Sequence, residues 1–321
     1  MVFAGGGGKN APAMTTRLYT HPACLQHDMG RGHPESPARL QAVLAALDAP
    51  EFAGLERAEA PSAGVAQIAR AHPAAYVEAI LEAVPQAGHV ALDADTTLSP
   101  GSGAAALRAA GAVCAAVDAV AAGEIANAFC AVRPPGHHAE PTTAMGFCLF
   151  NNVAIGAHQA RAVHGLRRVA VIDFDVHHGN GTQAMFETDP ELFYASTHQM
   201  PLYPGTGAAS ETGVGNICNA PLQPYAGSAE FRAAMRDLVL PALDAFRPDI
   251  LLISAGFDAH KADPLANLQL DEADYAWATD ELLAIAERHC RGRVVSALEG
   301  GYDLAALAAS AAAHVRRLMA A

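Results

Sequence analysis

An aspartate and a histidine two positions apart, Asp175 and His177, stand in the run DFDVHHGNG at the end of the apolar stretch VAVIDF. Alternate side chains of an extended chain share a face, so Asp173, Asp175 and His177 are expected to point one way and Val176 the other. Zinc accepts imidazole nitrogen and carboxylate oxygen, and a hydrolytic site uses about three protein ligands plus an open position for water. The third ligand has to come from elsewhere, and Asp258, in SAGFDAH directly after DILLIS, has the right chemistry. An isolated Asp-x-His is more often a hydrogen-bonded pair with no metal. Here further polar clusters share its position in the pattern, and a metal site becomes the better reading.

Two of those clusters could do proton chemistry. In RPPGHHAE, two prolines and a glycine set a tight turn before His137 and His138, and adjacent histidines on an irregular loop can serve as base and acid at one centre. In EGGYD, two glycines free the backbone so that Tyr302 can reach inward, where a phenol can donate to a developing oxyanion opposite a metal. Alone, the histidine pair reads as a surface or hydrogen-bonded pair, and the tyrosine reads equally well as an ordinary core residue.

The elements that must position these residues are short apolar runs alternating with helix-length segments. The runs are Ala128 to Val132, Val169 to Phe174, Leu192 to Ser196, Asp249 to Ser254 and Val294 to Leu298. The helical stretches are Pro37 to Leu47, Gly103 to Ala122, Asn151 to Val163, Ser228 to Phe246, Asp271 to Cys290 and Leu304 to Met319. Strands apolar on both faces, separated by helices, predict an α/β fold with a parallel sheet covered on each side. RPPGHH, DVHHGN, STH, AGFDAH and EGGYD each follow one of the runs. Sites form at the carboxyl edge of such sheets, so the clusters can converge.

Composition narrows the function. With 321 residues and 51% apolar content, one substantial core and a single domain are expected. A formal charge of −13 without a Lys/Arg block argues against nucleic acid or an anionic membrane as partner; an acidic surface would attract cationic substrates, but keeping the protein soluble is the better explanation of the charge. The six cysteines form no CxxC pair and read as free thiols in a reducing cytoplasm. Gly103 to Gly123 is interrupted by Arg108 and Asp118 and reads as a packed helix, not a membrane span. Residues 1–16 are a Gly-rich segment expected to be disordered, with Met14 a candidate start, and the domain is expected over 17–321.

As a set, RPPGHHAEPTTAMGFCLFNN, DFDVHHGNGTQ, LYPGTG, AGFDAHKADPL and LEGGYD closely resemble the histone deacetylase superfamily, and HPESPARL at His33 to Leu40 resembles its class II and bacterial amidohydrolase members. The resemblance implies a three-layer open sandwich shared with arginases, and zinc on Asp175, His177 and Asp258. It implies His137 and His138 as catalytic histidines with Asp173 and Asn180 as partners, and Tyr302 at the transition state. Asn180 stands where class I members carry Asp, and a carboxylate partner raises histidine basicity, so His137 should be the more basic of the pair. The resemblance further implies a substrate channel at Gly146, Phe147, Tyr203 and Leu265 with an inner Arg39. A structural potassium would sit at Asp173, Asp175, His177, Ser196 and Thr197. Arginases hold a second metal through Asp-x-His-x-Asp, and Gly179 fills the final position here, so a mononuclear site is expected.

The expected reaction is hydrolysis of an acylated lysine or small acylated amine. Acetylpolyamines are the alternative. The resemblance implies that polyamine-selective relatives use an acidic gatekeeper near the channel mouth or a long loop insertion that narrows it. Here Leu265 stands at the gatekeeper position and only a short connection runs from Gly88 to Ser99, which favours acyl-lysine. A reading of another class, a catalytically silent acyl-amine sensor, is disfavoured because every ligand, histidine and tyrosine is present. The sequence leaves acyl length open, along with whether the chain is a homo-oligomer.

Overall fold

The computed structural model describes residues 15–321. The expectations for Met14 and most of the Gly-rich segment lie outside the described residues, and the first strand begins at Thr16, one residue before the expected domain start.

Among the described residues there are ten strands and ten α-helices. The strands are β1 (Thr16–Thr20), β2 (Glu56–Glu59), β3 (Val90–Ala91), β4 (Thr97–Leu98), β5 (Asn127–Cys130), β6 (Val169–Asp173), β7 (Leu192–Gln199), β8 (Ile217–Leu222), β9 (Ile250–Ala255) and β10 (Val294–Leu298). The helices are α1 (Pro37–Leu47), α2 (Val65–Ile68), α3 (Ala74–Glu82), α4 (Ser102–Ala121), α5 (Asn152–His164), α6 (Asn180–Phe186), α7 (Ser228–Ala234), α8 (Leu240–Phe246), α9 (Glu272–Cys290) and α10 (Leu304–Leu318).

Eight strands form one sheet in the order β2-β1-β5-β10-β9-β6-β7-β8, and every pairing in it is parallel. The strands from β5 across to β7 are buried along their whole length, which is why they are rich in apolar residues without in-out alternation, the polar residues gathering toward the carboxyl end of β7. Helices pack against this sheet, with α4 against α5 and α10 against α1 and α9. β3 and β4 form a separate small antiparallel pair.

The strands absent from the sequence reading lie at the flanks. β2 (ERAE) is a charged, largely exposed edge strand, and β8 carries Pro221, which an edge tolerates because one side of the strand needs no donor. Neither has the apolar run that marks a central strand. The expected 228–246 helix has the right ends but is divided by a π-helical turn at Met235–Val239. Pro241 lacks an N–H and its ring crowds the carbonyl four residues earlier, and the widened turn relieves both.

Two further differences bear on expectation. Ser196, Thr197 and His198 lie inside β7, which runs on to Gln199 instead of ending at Ser196. Helix α4 is long and apolar enough by composition to cross a bilayer in spite of Arg108 and Asp118, yet 67% of that stretch is buried within the fold. It is a core helix.

Candidate metal centre and catalytic pocket

The loops after β5, β10, β9 and β6 leave four adjacent strands at the same edge of the sheet, and they carry His137 and His138, Tyr302, Asp258, and Asp175 and His177 respectively. The topology therefore gathers residues more than 160 positions apart. Strand β6 ends at Asp173, so Asp175 and His177 occupy the following loop instead of the strand itself. The loop still turns both inward while Val176 enters the core.

Asp175, His177 and Asp258 offer ligand atoms that all lie within 4.8 Å of one another. His177 Nδ1 is 3.1 Å from Asp175 Oδ1 and 3.1 Å from Asp258 Oδ2. The outer oxygens are held by backbone donors, Gly300 N–H to Asp175 Oδ2 and Val176 N–H to Asp258 Oδ1, both at 2.8 Å. One ring N–H cannot satisfy two carboxylates at once. Burial and the Asp175 charge push Asp258 up to about 7. Against its own burial, His177 rises to about 10 through its contacts with Asp175 and Asp258. This buried demand for positive charge, met by two oxygens and one nitrogen, fits a zinc ion with a supporting outer shell.

His137 and His138 lie beside this group with ring centroids 4.0 Å apart, in different electrostatic settings. His137 Nδ1 is 2.9 Å from Asp173 Oδ2. Burial opposes its charge, but the carboxylates of Asp175 and Asp173 outweigh burial and raise it to about 10. His138 is lowered well below its ordinary range by burial and by the charge on His137. Its Nδ1 meets Asn180 Oδ1 at 2.8 Å, while Asn180 Nδ2 donates to Glu140 Oε1 at 2.9 Å. A carboxylate only accepts, which orients the amide. His138 must then donate from Nδ1, leaving Nε2 with a free lone pair.

Gly179 has a role beyond the missing second ligand. A Cβ there would lie 2.5 Å from Asp173 Oδ2 and 3.1 Å from His137 Nδ1, inside the Asp173–His137 pair. Tyr194 completes that corner, donating to Asp173 Oδ2 and accepting from Gly179 N–H.

A cavity of about 240 Å³ rises from the histidines, with Phe147, Tyr203, Leu202, Leu265 and Gly146 on its walls and His138, His177 and Tyr302 facing it. Drug-sized ligands occupy roughly 300–1,000 Å³, so this space suits a slender chain. Gly146 and Phe147 both have positive φ, 57° and 69°, in a tight turn closed by Cys148 N–H to Met145 O. That conformation is costly for an aromatic residue. It is held by Asp95 Oδ1 and Thr96 Oγ1, which accept from Gly146 N–H and Phe147 N–H.

Tyr302 stands against Phe147, and desolvation keeps its phenol protonated, well above the usual range, against the opposing charge of Arg39. Its backbone N–H donates to Asp263 Oδ2 at 2.7 Å. Arg39, the inner arginine implied for the channel, is fully buried behind Tyr302 with its guanidinium 4.8 Å from the ring centroid and does not line the cavity. Its charge is spent on backbone carbonyls and a buried carboxylate. Ser196 pairs in register with Asp173 across β6 and β7, and the neighbouring Thr197 Oγ1 is buried without a hydrogen-bond partner among the described residues.

Asp95, Leu202, Asp263 and Glu299 escaped the sequence reading. Asp95 and Leu202 line the cavity. Glu299 Oε2 accepts from the N–H groups of Gly136 and His137, tying the tyrosine loop to the histidine loop. Asp263 and Glu299 lie within the runs AGFDAHKADPL and LEGGYD, which was the available signal. Asp95 sits in no such run.

A parallel sheet with a buried Asp-His-Asp cluster, paired histidines and a tyrosine under a narrow cavity defines an amide-hydrolase type of architecture. The model of the histone deacetylase domain matches residues 33–318, and the chain belongs to the histone deacetylase family. It is 41% identical to histone deacetylase 14, chloroplastic, of Arabidopsis thaliana, over 94% of this chain and 76% of that protein. It is 42% identical to the histone deacetylase-like amidohydrolase of Pseudomonas aeruginosa, over 87% and 75%. The crystal structure of the HDA15 HD domain is similar with a TM-score of 0.90 and 34% identity, covering 96% of this chain and 88% of that one. The single-domain deacetylase-like α/β fold expected from sequence is the one found.

Proposed function

We propose that this protein is a zinc-dependent deacylase that removes acetyl or other short acyl groups from lysine side chains or related amines. The observation that carries the reading is the placement of one neutral histidine, one protonated tyrosine and a cation-demanding Asp-His-Asp cluster around a single slender cavity. Zinc held by Asp175, His177 and Asp258 would supply Lewis-acid polarisation of the amide carbonyl and a more acidic water.

The chain's own residues do the rest. His138, bare at Nε2, takes the proton of the attacking water and returns it to the departing amine nitrogen. His137 stays charged against Asp173 and steadies the negative charge that develops nearby. Tyr302 donates its phenol proton in a hydrogen bond to the oxyanion. Phe147 and Tyr203 clasp the methylene chain and keep water away from it.

Leu265 in the cavity wall, and the compact β3–β4 pair in place of a long insertion, support acyl-lysine as the substrate class. One observation favours acetylpolyamines, namely Asp95 in the same wall, a carboxylate able to meet a second ammonium. Turnover of an acetyl-lysine peptide in competition with N-acetylputrescine separates the two. We expect the peptide to win, and a large preference for the putrescine would overturn that choice. A structural potassium at Asp173, Asp175, His177, Ser196 and Thr197 belongs to the same proposal, supported by the pairing of Asp173 with Ser196. So does a reducing, cytoplasmic location, supported by six unpaired cysteines, five of them buried.

A further inference from the structure

The HPESPARL run has a use that the reaction described above leaves unassigned. Glu35 precedes α1 and Arg39 lies one turn later, and both are without exposed area. The Glu35 carboxylate meets Arg133 at both oxygens, Oε1 facing Nε and Oε2 facing Nη2 at 2.6 Å, while Oε1 also accepts from Arg39 Nη1 at 3.1 Å. Arg133 begins the RPPGHH run, four residues before His137, and is equally buried. It also donates to the carbonyls of Cys24 and His27. Arg39 spends its other N–H groups on the carbonyls of Gly301 and Glu299, the residues that flank Gly300 and lead into Tyr302.

One carboxylate therefore holds two guanidinium groups, one rooted in the histidine loop and one gripping the tyrosine loop. Buried ion networks are weak devices for stability, since packed apolar residues often do as well. What a bidentate Arg–carboxylate pair does supply is fixed geometry. We propose that Glu35 is a positioning residue that sets the spacing between the His137–His138 loop and Tyr302, acting through Arg133 on one side and Arg39 on the other. Removing its charge leaves two buried cations without a common partner, and both loops lose their anchor together. The inference rests on the deacylase reading for its catalytic consequence, but its structural part does not.

The test compares the full-length zinc-loaded protein with Glu35→Gln and Glu35→Asp, each also in a Tyr302→Phe background. Readouts are kcat and KM on an acetyl-lysine peptide, and amide hydrogen exchange at 133–138 and 299–303. Glu35→Gln should lower kcat by about 10- to 100-fold with KM little changed, because small misplacements of reacting groups have effects of that order. Exchange should quicken in both loops, and the kcat effect should shrink once Tyr302 is already Phe. Glu35→Asp, which keeps the charge, should recover part of both properties and serves if the Gln variant does not fold. Unchanged kcat in a folded variant, an undiminished effect in the Tyr302→Phe background, or faster exchange in only one loop or neither would overturn the proposal. If the unaltered protein hydrolyses no acylated amine, the deacylase reading fails, and the exchange at the two loops still decides the coupling.

Discussion

His138 and Asn180 meet through Nδ1 and Oδ1 at 2.8 Å, and this neutral pairing leaves the second ring nitrogen of His138 as a free base. Beside it, His137 carries a carboxylate partner and keeps its proton. Two adjacent residues of the same type are thus given opposite protonation states: Asp175 and Asp173 hold the proton on His137, while burial and the charges of His137 and His177 keep His138 neutral beside the uncharged Asn180.

Asn180→Asp should raise the basicity of His138, because a carboxylate favours the charged imidazole. Catalysis needs His138 neutral, so activity falls as pH drops through its pKa, and a raised pKa moves that acidic limb to higher pH. Profiles of kcat/KM against pH for the two proteins test this. A limb that stays in place or moves to lower pH would refute the assignment of His138 as base.

Tyr302→Phe removes the phenol while leaving the three candidate ligands intact. The expected loss of kcat is on the order of 10²-fold or more, with zinc content unchanged. Full activity would remove Tyr302 from the reaction.

Gly179→Ala places a methyl 2.5 Å from Asp173 Oδ2 and against the His137 ring nitrogen. Overpacking of this kind costs about 1–3 kcal/mol, and it should separate His137 from Asp173, so thermal stability and kcat should fall together. A variant as stable and active as the original would show that the corner is looser than its geometry indicates.

His314 tests burial far from the pocket. It lies in the core between Thr279 Oγ1 and Ser296 Oγ, and burial lowers it from 6.5 to about 3. A histidine held neutral in the fold stabilises fully above its unfolded pKa and progressively less as pH falls toward the folded value. Between pH 7 and pH 5 this one group should withdraw about 2 kcal/mol. Denaturant melts of the original and of His314→Gln should show the variant losing less stability over that interval. Equal losses would contradict the assignment.

The central strands, α1 and the convergence of the site residues were legible because each rests on local pattern. β6, β9 and β10 are short, strongly apolar runs, and the loops that carry Asp175, His177, His138 and Tyr302 follow such runs. What escaped depends on contacts between distant segments. Asp95 supports Gly146 across 51 positions and Glu35 grips Arg133 across 98, and no local spacing announces either. Arg39 points the same way. The resemblance gave it as an inner arginine of the channel, and only the folded chain shows Glu35 and the carbonyls of Glu299 and Gly301 fixing it behind Tyr302.

The most direct test of the account is a titration of zinc into metal-stripped protein, following hydrolysis of an acetyl-lysine peptide alongside bound zinc per chain. The expected result is no turnover without metal, activity rising in proportion to zinc and levelling at one ion per chain, and loss of both binding and turnover in Asp258→Ala. Full turnover by the metal-free protein, or one bound zinc per chain with no acylated amine hydrolysed, would contradict it.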